Sequence, residues 1–332
     1  MKKIIFAIII LGSLFQAHSQ DVLLEKEIKL RSDFLSSKKR LSLPIVNSKT
    51  NEVGMFLLDR KEIVGYFFDE NYGIKDSIVT SRPKKKYSSL LGATYNEDTY
   101  HMLFTNDKKN KFLASNINLQ TRETTTNEFE IESNKENFLD AINIDNRLFI
   151  LTIRRGTSKM TLFEFERDQL VKRQDVDLSD HKFSRARKSL NYILTHTTSA
   201  VRDNIVLSKV DNQNPNSIDV ASYPNKIYAF NNSIYLTLDV YDDFSKVISI
   251  DLKSYEYEVK DYQMKEVDCD HDLGVKSNSY LLKDYIFQVS GCENEIYFSI
   301  SNLESTVKMK EWNVKKDEEI KFSINSIKNQ GK

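Results

Sequence analysis

Two cysteines, four prolines, nine glycines and a single tryptophan are spread through 332 residues, and each scarcity removes a class of protein. No Gly-rich phosphate loop, dinucleotide fingerprint or Gly-x-Ser-x-Gly elbow can be assembled from those nine glycines, so nucleotide-cradling and α/β-hydrolase chemistry lack their backbone parts. The five histidines are scattered and never form His-Glu-x-x-His, which removes the helical zinc-protease site. Charge of one sign is also missing: 48 basic residues face 48 acidic ones. Nucleic-acid binding depends on an excess of Lys and Arg, so no nucleic-acid partner is expected. One tryptophan, Trp312, leaves few flat indole faces for sugars. Beyond the first residues no apolar run is long enough to cross a bilayer, and no transmembrane anchor is expected.

What is present begins at the N-terminus. Lys2 and Lys3 precede the apolar run Ile4 to Leu11, Gly12 and Ser13 loosen it, and Ala17-His18-Ser19 offers small residues at the two positions a signal peptidase reads. The pattern predicts a signal peptide over residues 1–19 and an exported protein, periplasmic or extracellular. The residue after it is Gln20, and no Cys precedes Cys269, so a lipid anchor at the cleavage site is not supported. Removing the leader takes away two Lys and no acid, leaving the balance close to neutral.

From about residue 40 onward, short runs of Ile, Val, Phe, Tyr and Leu alternate with polar turns rich in Asn, Asp and Lys. Thr99–Thr105, the turn 106–110 and Lys111–Asn118 show the plan. Branched and aromatic residues suit a pleated, half-buried surface, and Asn and Asp suit tight turns. The strands group at a period of roughly 45 residues, the length of a four-stranded propeller blade. Groups fall at Leu41–Thr80, Ser88–Ile131, Phe138–Asp177, Lys226–Tyr262 and Ser277–Trp312, with Lys188–Tyr223 a poorer copy. That makes about six blades, or seven if the ends Gln20–Arg40 and Asp317–Lys328 combine. Residues 20–332 are read as a single domain, with 20–40 as an extension or a ring-closing strand. Val22–Phe34 fits a short helix or a closing strand.

One phrase recurs: an apolar strand, a two-residue polar turn, then a more aromatic strand. It appears at 143–151 (NIDNRLFIL), 228–236 (YAFNNSIYL) and 280–288 (YLLKDYIFQ). With Tyr87-Ser88-Ser89-Leu90-Leu91-Gly92 before the second group, these phrases give the chain its resemblance to uncharacterised, signal-peptide-bearing bacterial β-propeller-like proteins. The WD dipeptide and the kelch glycine pair are both missing. The resemblance is architectural, covers most of the chain, and implies an all-β disc of four-stranded antiparallel blades without implying any catalytic residue.

Four constellations could carry chemistry. Asp268, Asp270 and Asp272 alternate around Cys269 and His271, and carboxylates so spaced can surround calcium. The match to a calcium loop is partial, because Gly274 comes one place late and Ser279 replaces the bidentate Glu. The bland reading is a solvated acidic loop, and apart from this calcium no cofactor is expected. Cys269 and Cys292 are the sole pair in an exported chain, which favours a disulfide joining the loop before a blade to the end of that blade's second strand. Asp140, Glu97, Asp98 and Asp239 are the carboxylates whose positions suit a channel mouth, where desolvation can separate two pKa values. The basic loops 82–86 and 182–188 read as solvated inter-blade loops, or else as a site for an anionic polymer. His101 and His196 lie in strand-like runs and read as structural. Tyr66-Phe67-Phe68 and Tyr285-Ile286-Phe287 read as alternating core residues.

The sequence therefore predicts a monomeric, exported, non-catalytic propeller that binds or scaffolds an unknown protein or glycan. The alternative is an extracellular carbohydrate-active enzyme using channel-lining carboxylates.

Overall fold

The computed structural model describes residues 41–47, 52–59, 61–131, 135–183, 188–195, 207–212, 214–239, 243–265, 267, 269 and 275–322. The fold is all-β and propeller-like. Its strands form five sheets among the described residues, and chain neighbours pair antiparallel in all of them except for one short parallel strand added to the fourth. Two compact units share them: Met1–Pro83 holds sheet I, and Lys84–Lys332 holds sheets II to V.

Sheet I contains β1 (Leu41–Val46), β2 (Val53–Leu58), β3 (Glu62–Phe68) and β4 (Ile74–Ser81). Strict alternation in β2 and β3 buries Phe56, Leu58, Ile63 and Phe67 on one face, and the rings of Phe56 and Phe67 meet edge to face 5.5 Å apart. Each such side chain taken out of water contributes roughly 1.5–3 kcal/mol.

Sheet II contains β5 (Ser89–Asn96), β6 (Thr99–Thr105), β7 (Lys111–Asn118) and β8 (Thr124–Glu130). Sheet III contains β9 (Glu136–Ile144), β10 (Arg147–Arg154), β11 (Lys159–Glu166) and β12 (Gln169–Asp177). Sheet IV contains β13 (Ser208–Val210), β14 (Asn225–Phe230), β15 (Ser233–Leu238), β16 (Phe244–Asp251) and β17 (Tyr257–Gln263). Sheet V contains β18 (Lys276–Leu282), β19 (Tyr285–Gly291), β20 (Glu295–Asn302) and β21 (Lys308–Lys315).

Consecutive sheets of the second unit pack face to face. Leu103 and Phe112 of sheet II meet Leu148 and Ile150 of sheet III in one buried cluster. Phe149 and Leu151 of sheet III share another with Ile234 and Ile248 of sheet IV. Tyr228 and Val247 of sheet IV share a third with Leu281 and Ile286 of sheet V. The first strands hold the stack together. Asn143 of β9 exchanges hydrogen bonds with the backbone of Ala93 in β5 (3.1 and 3.0 Å). A side chain at Gly92 would bring its Cβ to 2.3 Å from Asn143 Oδ1 and 2.9 Å from Leu148, so this close approach requires glycine.

The recurrent phrase forms the first hairpin of sheets III, IV and V. Asp145-Asn146 and Asn231-Asn232 have positive φ at both turn positions, and Lys283 has it at the first. Such turns match the twist of the flanking strands, and Asn and Asp tolerate the left-handed region.

The stretch Lys188–Tyr223 differs from the expected blade. Its described residues form helix α1 (Leu190–Thr195), helix α2 (Ile218–Ser222) and the short β13, which adds to β14 in parallel. Leu190 and Leu194 bury one helical turn, Ser217 caps α2 by accepting from Val220 N–H, and Pro215 and Pro224 bracket that helix. The expected leader 1–19, Val22–Phe34 and the residues beyond 322 lie outside the described residues.

Candidate functional site

The turn between the last two strands repeats in three sheets. Asn118-Leu-Gln-Thr-Arg-Glu, Asp251-Leu-Lys-Ser-Tyr-Glu and Asn302-Leu-Glu-Ser-Thr-Val share one wiring. The first side chain accepts backbone N–H groups: Asn118 from Thr121 (2.8 Å), Asp251 from Ser254 (2.7 Å), Asn302 from Ser305 (2.8 Å). The Leu N–H then donates to the carbonyl at the tip of the same sheet's first hairpin: Leu119 to Asp98, Leu252 to Asn232, Leu303 to Asp284, at 2.8–2.9 Å. The fifth residue has positive φ in every copy: Arg122, Tyr255 and Thr306.

These turns lie where each sheet meets its neighbour, and the register makes three junctions comparable. His101 pairs with Asn116 in sheet II, Phe149 with Glu164 in sheet III, and Tyr235 with Ser249 in sheet IV. Each pair starts from the third residue of its sheet's second hydrogen-bonded hairpin.

Between sheets III and IV the slot is filled. Glu164 accepts from Arg147 Nε (2.7 Å), Arg173 Nε (2.7 Å) and the Tyr255 hydroxyl (3.0 Å), and Arg147 also donates to Leu252 O (2.8 Å). Burial pushes the Glu164 carboxyl up, but the bonds from both guanidinium groups and Tyr255 outweigh it and hold the group below its usual range. The same partnership raises Arg147.

Between sheets IV and V the slot is open, a cleft of about 800 Å³. Tyr235, Tyr257, Tyr262 and Tyr285 line it together with Asp251, Glu256, Glu258, Asp284 and Glu304. Lys260 is the one cation in this lining, and it is committed to Glu304 O (2.8 Å) and Glu258 (2.8 Å). Hydrogen bonds from Ser254 N–H keep Asp251 below the usual carboxylate range. Burial pushes Tyr235 and Tyr262 upward, and Tyr262 donates to Leu303 O at 2.5 Å. The carboxylates of Glu256, Asp284 and Glu304 make no ion pair or hydrogen bond among the described residues.

Between sheets II and III the slot is again open, in two lobes of about 440 and 490 Å³. His101, Arg167 and Asp168 line both. The His101 ring is buried and shares a hydrogen bond of 2.8 Å between Nδ1 and Asn116 Oδ1.

The carboxylates singled out from the sequence do not share a site. Glu97 and Asp98 form the β5–β6 turn, where Gln120 donates to Asp98 at 2.5 Å. Asp140 lies on β9, and burial raises its pKa while Lys209 and then Lys109 oppose the shift. Asp239 is buried after β15, where it accepts from Lys226 Nζ (3.3 Å) and from Ser279 N–H (2.7 Å). Cys269 and Cys292 form the expected disulfide, with Cα atoms 6.0 Å apart. The cation candidates Asp268, Asp270 and Asp272, with His196 and His271, lie outside the described residues. Among the described residues no group of His, Cys, Asp and Glu could hold a metal ion.

The basic loops are partly committed. Arg82 Nη1 donates to Asp59 O (2.6 Å), and Lys84 and Lys86 pair with Glu128. Lys86 and the Tyr87 hydroxyl hold Glu128 down at about 2. In the second loop 184–187 lie outside the described residues, and Lys188 sits 4.0 Å over the Tyr192 ring. Phe67 and Ile286 are core residues as the alternation predicts, whereas Tyr285 turns into the cleft between sheets IV and V. The turn repeat [Asn/Asp]-Leu-x-[Ser/Thr] was present in the sequence as a signal for these cleft walls and was missed, because strand alternation alone does not weigh turn residues.

No family model matches this chain, and no curated protein matches it. Similar solved structures include a protein from Lactobacillus plantarum (9% identity, 81% of this chain and 70% of that one, TM-score 0.36). The Nup133 β-propeller domain of Vanderwaltozyma polyspora is another (11%, 90% and 92%, 0.31), as is prolyl oligopeptidase B from Galerina marginata (9%, 81% and 34%, 0.37). At such scores these likenesses decide nothing, and the fold rests on the chain's own sheets. No described helix is long and apolar enough to cross a membrane.

Proposed function

We propose that this chain is an exported, non-catalytic binding module, and that the cleft between sheets IV and V receives a basic segment of a partner protein. The observation that carries the reading is the chemistry of that slot. Three carboxylates there, Glu256, Asp284 and Glu304, have no partner among the described residues, and the single lysine is already bonded. Four tyrosine rings stand beside them, and a Lys or Arg head group gains from both carboxylate and aromatic face. The Cys269–Cys292 disulfide and the leader pattern support an oxidising, exported setting. The enzyme alternative asks for an acid of raised pKa beside a second carboxylate. Asp140 is raised, but the charges acting on it are Lys209 and Lys109.

Calorimetric titration of the full chain with tetralysine and tetraglutamate tests the reading. Tetralysine should bind, weaken several-fold between low and high salt, and weaken at least tenfold in the triple variant Glu256→Gln/Asp284→Asn/Glu304→Gln. Binding that is indifferent to that variant, or a preference for tetraglutamate, would refute it.

A further inference from the structure

The cleft between sheets II and III carries a different chemistry. His101 is 8% exposed, and its ring lines both lobes. Asn116 Oδ1 is an acceptor, so Nδ1 carries the hydrogen of that bond and Nε2 is left as a lone-pair acceptor. Nε2 has no partner among the described residues, although the ring around it is nine-tenths buried. Nε2 opens onto the cleft, where a ligand or water can supply the donor.

The rest of the lining narrows what that donor belongs to. Hydroxyl and amide side chains dominate: Thr94 and Asn96 in one lobe, Thr99 and Thr125 in the other. The linings hold the guanidinium groups of Arg147 and Arg167 against the carboxylates of Glu164, Glu166, Asp168 and Glu123, which disfavours an anionic ligand. The Tyr95 ring lines one lobe and offers a face for C–H groups. Across the outer edge, Asn127 Nδ2 donates to Asp168 O at 3.1 Å, fixing the turn against sheet II.

We infer that this second cleft is a binding site for a neutral saccharide, with one ligand hydroxyl donating to His101 Nε2 and the Arg167-Asp168 tip meeting neighbouring hydroxyls. Each lobe falls within the size of ligand pockets, roughly 300–1,000 Å³. The site is independent of the slot between sheets IV and V, and neither requires the other.

The test is a glycan array probed with the full chain, carrying neutral, acidic and amino-sugar glycans, followed by titration of the best neutral glycan. The expected result is a neutral glycan whose affinity changes less than twofold with salt and falls at least tenfold in His101→Phe. Arg167→Ala, at an exposed turn, should weaken it at least threefold and serves if His101→Phe fails to fold. The triple carboxylate variant of the other cleft should leave it unchanged, which separates failure of this site from failure of that one. Silence across the neutral glycans, binding of acidic glycans alone, or neutral binding that survives both His101→Phe and Arg167→Ala would overturn the assignment.

Discussion

The junction between sheets III and IV and the junction between sheets IV and V are built on the same register, yet one is solid and the other is open. The difference lies in the residue that the turn repeat delivers. Sheet IV presents Tyr255, whose hydroxyl reaches Glu164 and Arg147 and completes a network of two guanidinium groups around one carboxylate. Sheet V presents Thr306 at the matching place of the repeat, with the same left-handed backbone. A similar scaffold thus becomes core or cleft according to a few side chains: Arg147, Glu164 and Tyr255 at one junction, against Ser233, Ser249 and Thr306 at the other. The comparison also separates the two open slots. Sheet II faces its cleft with His101 and Asn116, whereas sheet IV faces its own with Tyr235, Ser249 and Glu258. Both carry carboxylates, but the first is richer in hydroxyl and amide side chains and the second in tyrosines.

The largest effect expected from breaking this comparison is at the solid junction. Glu164→Ala leaves Arg147 and Arg173 without their shared acceptor, at a cost of about 3 kcal/mol, the low end for a buried pair because both guanidinium groups keep some contact with water. Urea unfolding should show a midpoint shift of that size, and a shift under 1 kcal/mol would mean that packing of Phe149 and Leu151, rather than the network, closes the slot. Next comes the covalent tie beside the open junction. Cys269 lies in the chain joining sheets IV and V, and its bond to Cys292 closes a loop with a sequence separation of 23. Replacing both cysteines by alanine should lower stability by about 3 kcal/mol in the loop-entropy account, read by denaturant unfolding beside reduced wild type. The smallest and sharpest effect is a transplant. Thr306→Tyr gives sheet V the side chain that fills the preceding junction, and it should weaken tetralysine binding about tenfold, near 1.4 kcal/mol, while neutral-glycan binding stays put. If both ligands weaken together, the two slots are not independent.

Much of this architecture was legible in the sequence because it depends on local rules. The hairpins at Asp145-Asn146 and Asn231-Asn232 were readable since Asn and Asp adopt the positive φ that those turns require. Strands such as Thr99–Thr105 and Lys111–Asn118 fall where alternation places them. Within Lys188–Tyr223 the described residues form two short helices and β13 where the spacing predicts a poorer blade copy, because short apolar runs such as Leu190–Leu194 fit one helical turn as well as a strand. The clefts were not legible. Arg147 and Tyr255 are 108 residues apart, and nothing in either segment announces the other. Which carboxylate is lined up with which tyrosine depends on the facing of two sheets, so Asp98 and Asp239, plausible by position, turned out to serve a turn and a buried lysine.

The staple from each Leu N–H back to the tip of the first hairpin has a consequence for how the chain assembles. It ties a sheet's last turn to its own beginning, so Leu119, Leu252 and Leu303 each close their circuit within a single repeat. A newly made repeat needs no distant strand to finish its edge. Maturation can then advance cassette by cassette as the polypeptide emerges, with side-chain choices at the tips deciding afterwards which seams seal and which stay available to visitors.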